Sequence, residues 1–295
     1  MSFKSGFVAI MGSPNVGKST LLNRFVGMKI AIVSKKAQTT RNKVVGILTA
    51  DNYQIIFLDT PGLHTPKNKL GKYMVDTAYS AHKDVDATLM VIDAVVGIKD
   101  RDEEIIKKLS NDNLIVAINK CDAVNENSID IIRKKLKELG IDESKIVVLS
   151  ALTGTGVSEL LDILVDFLYE GPQYYPSDMV TDRPERFIAA ELIREKILEN
   201  VDDEIPHGVG IEIEKVEEFE DLTKVFAVIY CERASHKRIL IGAKGSMLKK
   251  IGAQARLDME MLFNTKVYLE LWIKVKEDWR NSSFMLKELG YSKER

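Results

Sequence analysis

The chain has 295 residues, 45% apolar and 29% charged, a globular composition that excludes disorder of the whole chain and, at roughly 100–200 residues per domain, predicts two domains. No run approaches the roughly 18 consecutive apolar residues of a spanning helix, and the N-terminus enters a motif with no cleavage site, so neither an integral-membrane nor an exported protein is expected. Cys121 and Cys231 lie far apart without ligand-like spacing and predict a cytoplasmic protein without disulfides or zinc, and the net charge of −2 taken alone argues against a nucleic-acid binder.

In chain order, Phe7–Met11, Val44–Ala50, Tyr53–Asp59, Ala87–Ile92, Leu114–Ile118 and Lys145–Leu149 read as strands. Asp102–Leu109, Ile129–Leu139 and Val157–Leu168 have helical spacing. Alternating strands and helices predict an α/β domain over 1–170, with a mostly parallel sheet covered on both faces. Asp51-Asn52 separates two strands so closely that they form a hairpin, hence an antiparallel edge. Two prolines and a glycine in Glu170–Asp178 mark a linker over 171–183. A second domain over 184–295 reads as helix (Pro184–Asn200), strands (Gly210–Glu217 and Thr223–Cys231), short helices around a Gly-x-x-Gly turn, helix (Met247–Phe263), strand (Lys266–Val275) and helix (Glu277–Leu289), a small α+β fold.

Gly12-Ser13-Pro14-Asn15-Val16-Gly17-Lys18-Ser19 fits G-x-x-x-x-G-K-[ST] and stands between a strand and a helix opening at Thr20. The glycines allow backbone N–H groups to converge on phosphates, Lys18 is expected at the β and γ phosphates, and Ser19 on magnesium. Asp59-Thr-Pro-Gly62 ends the next strand, where ligands of open α/β sheets gather. Asp59 is expected to hold the magnesium through water, and the Gly62 N–H to sense the γ-phosphate. Asn119-Lys120-Cys-Asp122 selects the base: one carboxylate accepts from guanine N1–H and N2–H together, a donor pair that adenine lacks. Asn119 braces the loop, Lys120 lies along the base, and the Ser150-Ala151 backbone meets guanine O6.

These motifs in this order resemble the translation-factor-like GTPases, and Gln38-Thr39-Thr40-Arg41-Asn42 is similar to the first switch of the Era family. The resemblance implies that Thr40, or the adjacent Thr39, closes on magnesium when GTP is bound. Leu63 stands where Ras-like enzymes carry a water-orienting glutamine, so slow intrinsic hydrolysis is expected. His64 is either a catalytic base or an ordinary exposed histidine. Asn15 either favours the turn or ligates potassium, as in related Pro-Asn-x-Gly-Lys-Ser GTPases.

Charge is unevenly distributed in the second domain. Glu199–Asp221 has ten acids against Lys215, whereas Arg233–Arg256 has seven bases and no acid. Gly242-Ala243-Lys244-Gly245 lies in that basic window and resembles the Gly-x-x-Gly loop of a KH domain, which admits single-stranded RNA backbone. Arg238, Lys244, Lys249, Lys250 and Arg256 are expected at phosphates, and Ile239, Ile241 and Ile251 as an apolar floor for bases. The acid-rich stretch either faces away or guards the groove.

The resemblance spans nearly the whole chain and implies a magnesium-dependent GTPase. It implies GTP and GDP as ligands, 16S ribosomal RNA near its 3′ end and the 30S subunit as partners, a monomer, and some peripheral membrane contact. A phosphate-loop kinase would tolerate ATP, which Asn119-Lys-Cys-Asp122 argues against. A purely structural module would not need Lys18, Ser19, Asp59 and Asp122 together.

Overall fold

The computed structural model describes residues 2–34, 36, 38–109, 113–202 and 205–292. The chain forms two compact units: Met1–Ala31, Thr40–Thr65 and Met74–Asp182 make the first, and Ile32–Thr39, Pro66–Tyr73 and Arg183–Arg295 the second. The segments 32–39 and 66–73, which border the motifs at Thr40 and Gly62, thus group with the second unit.

In the first, β1 (Lys4–Met11), α1 (Lys18–Val26), β2 (Val44–Thr49), β3 (Tyr53–Asp59), α2 (Lys69–Ala81, of which 69–73 group with the second unit), β4 (Ala87–Asp93), α3 (Asp100–Leu109), β5 (Leu114–Asn119), α4 (Glu126–Glu138), β6 (Ile146–Val148), α5 (Val157–Asp166) and β7 (Tyr169–Glu170) follow in order. The sheet order is β2-β3-β1-β4-β5-β6, with β7 antiparallel to the start of β1. All path neighbours are parallel except β2 and β3, the expected hairpin, closed by the Ala50 N–H on the Tyr53 carbonyl at 2.9 Å. β4 and β5 are buried at every position, which explains their unbroken apolar runs: in a sheet covered on both faces neither side tolerates polar alternation. Helix ends follow local chemistry. Asn125 caps α4 by accepting from the Ser128 N–H, and α3 opens on Asp100, Asp102 and Glu103 and closes on Lys107 and Lys108, matching its dipole.

The predicted linker is held against the sheet rather than free. The Ile47 N–H donates to the Val180 carbonyl at 2.9 Å, Thr181 Oγ1 to the Val45 carbonyl at 2.6 Å, and Gln54 bonds the backbone of Tyr174 and Tyr175.

The second unit contains α6 (Glu185–Asn200), β8 (Gly210–Phe219), β9 (Leu222–Cys231), α7 (Ala234–Ile241), α8 (Ser246–Phe263), β10 (Lys266–Val275) and α9 (Ser283–Glu288). Its sheet order is β10-β9-β8, with β10 parallel and β8 antiparallel to β9. Val225, Ala227, Ile229 and Cys231 of β9 face a core shared with Ile193 and Ile197 of α6 and Ile251, Ala255 and Met259 of α8. The helix expected over Glu277–Leu289 is interrupted: Trp279–Asn281 is a 3-10 turn, Asp278 before it is left-handed (φ 49°), and Ser282 starts α9 afresh by accepting from the Met285 N–H. Asn281-Ser282-Ser283 favours capping over helix interior. Also within this unit, the Val33 N–H donates to Glu195 Oε1 at 2.9 Å and Arg194 donates to the Thr39 carbonyl.

Candidate functional site

The phosphate loop joins the C-terminal end of β1 to α1, so its backbone amides lie at a helix N-terminus. Lys18 is buried, and its ammonium donates to the carbonyls of Gly12 (3.1 Å) and Ser13 (2.9 Å). Burial pulls its pKa down to about 8, against the opposing charges of Asp59 and Asp102. Asn15 adopts a left-handed conformation (φ 65°), Pro14 and Val16 flank it, and Thr20 lies in the first turn of α1. Gly17 is required twice over: its φ is 101°, and a methyl there would lie 2.2 Å from Asn119 Nδ2.

Three oxygens converge beside the loop. Ser19 Oγ donates to Asp59 Oδ2 at 2.7 Å and lies 2.9 Å from Thr40 Oγ1. Thr39 is turned elsewhere, its hydroxyl donating to the Lys36 carbonyl at 2.7 Å. Asp59 is fully buried, and among the described residues its Oδ1 has no hydrogen-bond partner; burial pushes its pKa up to about 6, with Lys18 and the hydroxyls pulling the other way. Two hydroxyls and a buried carboxylate with a spare oxygen are a hard oxygen donor set that fits magnesium. Gly62 passes so close to Pro14 that a methyl on it would lie 2.8 Å from the Pro14 Cα. Leu63 is 1% exposed and packs in the core with Met90 and Ile92, its N–H donating to the Gly12 carbonyl. The next residue, His64, holds Nδ1 2.9 Å from the Gly62 carbonyl. Of the remaining switch residues, Gln38 is left-handed (φ 60°), Arg41 is buried and Asn42 half-buried.

The residues expected to read the base stand at the ends of β5 and β6. Buried Asn119 donates from Nδ2 to the Val16 carbonyl at 2.8 Å and accepts at Oδ1 from the Ala151 N–H at 2.9 Å, tying the phosphate loop to the Ser150-Ala151 turn. Lys120 is left-handed, and its ammonium bonds the Asn15 carbonyl at 2.9 Å and Asp93 Oδ2 at 2.6 Å, while Asp122 is exposed. Three contributors escape sequence reasoning. Asp93 anchors Lys120; Asp102 accepts from Ser13 Oγ at 2.6 Å; and Arg24 of α1 donates to the carbonyls of Ala151 (3.2 Å) and Leu152. A regular α1 leaves Arg24 without a motif to mark it; its partners lie more than a hundred residues away.

In the second unit the Gly-x-x-Gly turn connects α7 to α8. A methyl on Gly242 (φ 72°) would lie 2.8 Å from the Met247 N, Lys244 is left-handed (φ 52°), and Ala243 and Lys244 are exposed. Gly245 has open space around it. Arg238, Lys249 and Lys250 are exposed on the flanking helices, whereas Arg256 is paired with Glu260 at 2.8 Å. The apolar floor is smaller than expected: Ile251 is fully buried in the core because it faces β9, Ile241 is partly buried against that core, and Ile239 is exposed. Glu212 and Glu217 lie on the face of β8 and β9 opposite the helices, while Asp203 and Glu204 of the acid-rich stretch lie outside the described residues.

Residues 7–120 match the family described as 50S ribosome-binding GTPase, and residues 204–280 match the KH domain. The chain is 52% identical to the GTPase Era of Alkaliphilus oremlandii, covering 99% of this chain and all of that one. It is 49% identical to the GTPase Era of Ruminiclostridium cellulolyticum, over 99% of this chain and 98% of the relative. Among solved structures, Era in complex with MgGDPNP and nucleotides 1506–1542 of 16S ribosomal RNA superposes with a TM-score of 0.92 at 41% identity, covering 98% of this chain and 99% of the other. An Aquifex aeolicus Era variant bound to GDP and tetrafluoroaluminate also gives 0.92, at 40% identity, over 98% and 100% of the two chains.

Proposed function

Since the chain belongs to the Era family of GTPases and hydrolyses GTP, we propose that it is a GTP-gated factor that binds small-subunit ribosomal RNA near its 3′ end and acts in assembly of the 30S subunit. The observation that carries this reading is one chain holding a braced guanine site and an exposed Gly242–Gly245 turn ringed by Arg238, Lys244, Lys249 and Lys250. The relative solved with MgGDPNP and a 16S fragment supports the same pairing.

In this reading Asp122 accepts from guanine N1–H and N2–H, and the Ala151 turn, steadied by Asn119 and Arg24, meets O6. Lys18 and the loop amides oppose the charge of the β and γ phosphates. Ser19, Thr40 and Asp59 hold magnesium, which when bound neutralises charge on those oxygens. Because Leu63 is committed to the core, its side chain does not orient a nucleophilic water, and the intrinsic rate is slow. Potassium beside Asn15 is the proposed compensating cation. The reading further includes action in the cytoplasm as a monomer, with peripheral membrane contact; no described helix is long and apolar enough to cross a membrane.

The test is binding of the full chain to a 16S 3′-terminal oligonucleotide. Gly242→Asp with Gly245→Asp sets side chains and negative charge where RNA backbone would pass, and is expected to abolish binding while GTP affinity stays unchanged. Equal RNA affinity in the two proteins at matched salt overturns the reading.

A further inference from the structure

The outer face of the second unit's sheet, opposite α6 and α8, has a composition that neither nucleotide nor RNA binding uses. Along β10, Tyr268, Glu270 and Trp272 alternate onto it, and Phe226 of β9 stands in register with Glu270. Tyr268 is 48% and Trp272 59% exposed, large apolar areas for a strand in a folded domain. Both rings are turned onto the one carboxylate: Tyr268 Oη donates to Glu270 Oε2 at 3.1 Å, and Trp272 Nε1 to Oε1 at 2.8 Å. The rings of Phe226 and Tyr268 lie 6.2 Å apart, tilted by 60°. At its far end this face is covered, since Gly210 touches Leu289 and Trp279; among the described residues the Tyr268–Trp272 end is open.

Among the described residues none of the lysines of this face pairs with Glu270: Lys266, exposed at the start of β10, acts on Glu260. Lys274 pairs with Glu214 at 3.0 Å, Lys215 with Glu217 at 2.5 Å, and the Lys224 ammonium lies 4.9 Å from the Phe219 ring centre. Glu270 therefore has no ion-pair partner among the described residues, and each of its oxygens keeps a lone pair beyond the one its aromatic neighbour occupies. A carboxylate held in position by the O–H and N–H edges of two aromatic rings, with exposed aromatic surface on either side of it, suits a planar cation with parallel N–H donors: the carboxylate accepts the fork and the aromatic surface lies alongside for the cation. Phosphate would be repelled by the same carboxylate.

We infer that Phe226, Tyr268, Glu270 and Trp272 form a binding site for an arginine side chain presented by a protein partner. It is separate from the Gly242–Gly245 turn and does not depend on RNA binding there.

The test uses the full chain and a fluorescein-labelled dodecapeptide with one central arginine in a glycine-serine background, with lysine and citrulline versions. Saturable anisotropy is expected for the arginine peptide, with citrulline and lysine at least about tenfold weaker. Glu270→Gln and Trp272→Ala are each expected to weaken the arginine peptide about tenfold while leaving GTP hydrolysis and the melting temperature unchanged. The exposed Trp272 gives a second readout, its emission shifting on binding while buried Trp279 stays constant. Equal affinity for the citrulline peptide, or for Glu270→Gln, overturns the proposal. So does a single-stranded RNA oligonucleotide whose binding the two variants abolish, which would assign the face to nucleic acid.

Discussion

Replacing Asn119 with alanine isolates the brace from the groups that touch nucleotide. The side chain is 2% exposed and makes two bonds, to the Val16 carbonyl at 2.8 Å and from the Ala151 N–H at 2.9 Å. Its loss strands a carbonyl of the phosphate loop and an N–H of the guanine loop. Each buried orphan costs about 1–3 kcal/mol, and water entering the space recovers part of it. In the nucleotide-free protein the two loops relax and solvate those groups, so most of the cost falls on the bound state, where both loops must be ordered. A net 2–3.5 kcal/mol is the order-of-magnitude expectation, or about 30- to 300-fold weaker GTP and GDP binding. Displacement of a fluorescent GDP analogue measures it, and the melting temperature without nucleotide separates affinity from folding. A change below about threefold in both nucleotides would show that the loops hold their geometry without the brace.

Three further outcomes follow from the same geometry. Asp122→Asn is expected to weaken GTP and favour xanthosine triphosphate, whose C2 carbonyl accepts from the new amide; unchanged GTP affinity in a competition assay refutes the assignment. Burial raises the Asp59 pKa from 3.8 to about 6, so between these values this carboxyl binds more protons in the folded, magnesium-free protein than in the unfolded chain, and its own contribution to stability falls as pH rises, by about 3 kcal/mol in all. Glu103, Asp142, Glu217 and Glu260, held below the ordinary carboxylate range, act in the opposite sense, so the readout is the difference between Asp59→Asn and wild type in thermal melts from pH 4 to 6: the variant should gain on wild type as pH rises, and a constant difference counts against the burial argument. Potassium is expected to raise the GTPase rate above that in sodium, with Asn15→Ala erasing the difference while GTP still binds; equal rates in both salts leave Asn15 as a turn residue.

Most of the nucleotide site is legible in the sequence because its motifs are local: Gly12–Ser19 is one loop, and Asp59, Asn119 and Ser150 each stand just beyond a strand. What stays hidden is supplied by distant residues with no pattern of their own. Asp93, Asp102 and Arg24 act through partners 27, 89 and 127 residues away, and nothing near them in sequence marks the pairing. Helix α2 escapes for a different reason, since Gly71, Val75 and Thr77 weaken its propensity and its packing decides the outcome. Segment 171–183 reads as a linker from its prolines and glycine, and composition does not reveal that Val180 and Thr181 find hydrogen-bond partners on β2. Ile251 illustrates the limit at single-residue level: its place beside the basic turn is visible, but whether it faces core or groove depends on the phase of α8 against the sheet.

The site is built unequally for binding and for turnover. Three polar groups expected to position the nucleotide have fixed partners before any ligand arrives: Lys18 on two carbonyls, Lys120 on Asp93 and Asn15, Asn119 on two loops. Such pre-ordering lowers the entropy cost of binding and so strengthens the ground state. At the γ-phosphate side the position of the orienting glutamine is filled by Leu63, and its side chain serves the core instead. Interactions made equally in ground and transition states deepen binding without speeding the chemical step. An enzyme arranged in this way is expected to hold GTP firmly and to release phosphate slowly, as a timer would, with its rate open to whatever group or cation completes the charge around the γ-phosphate.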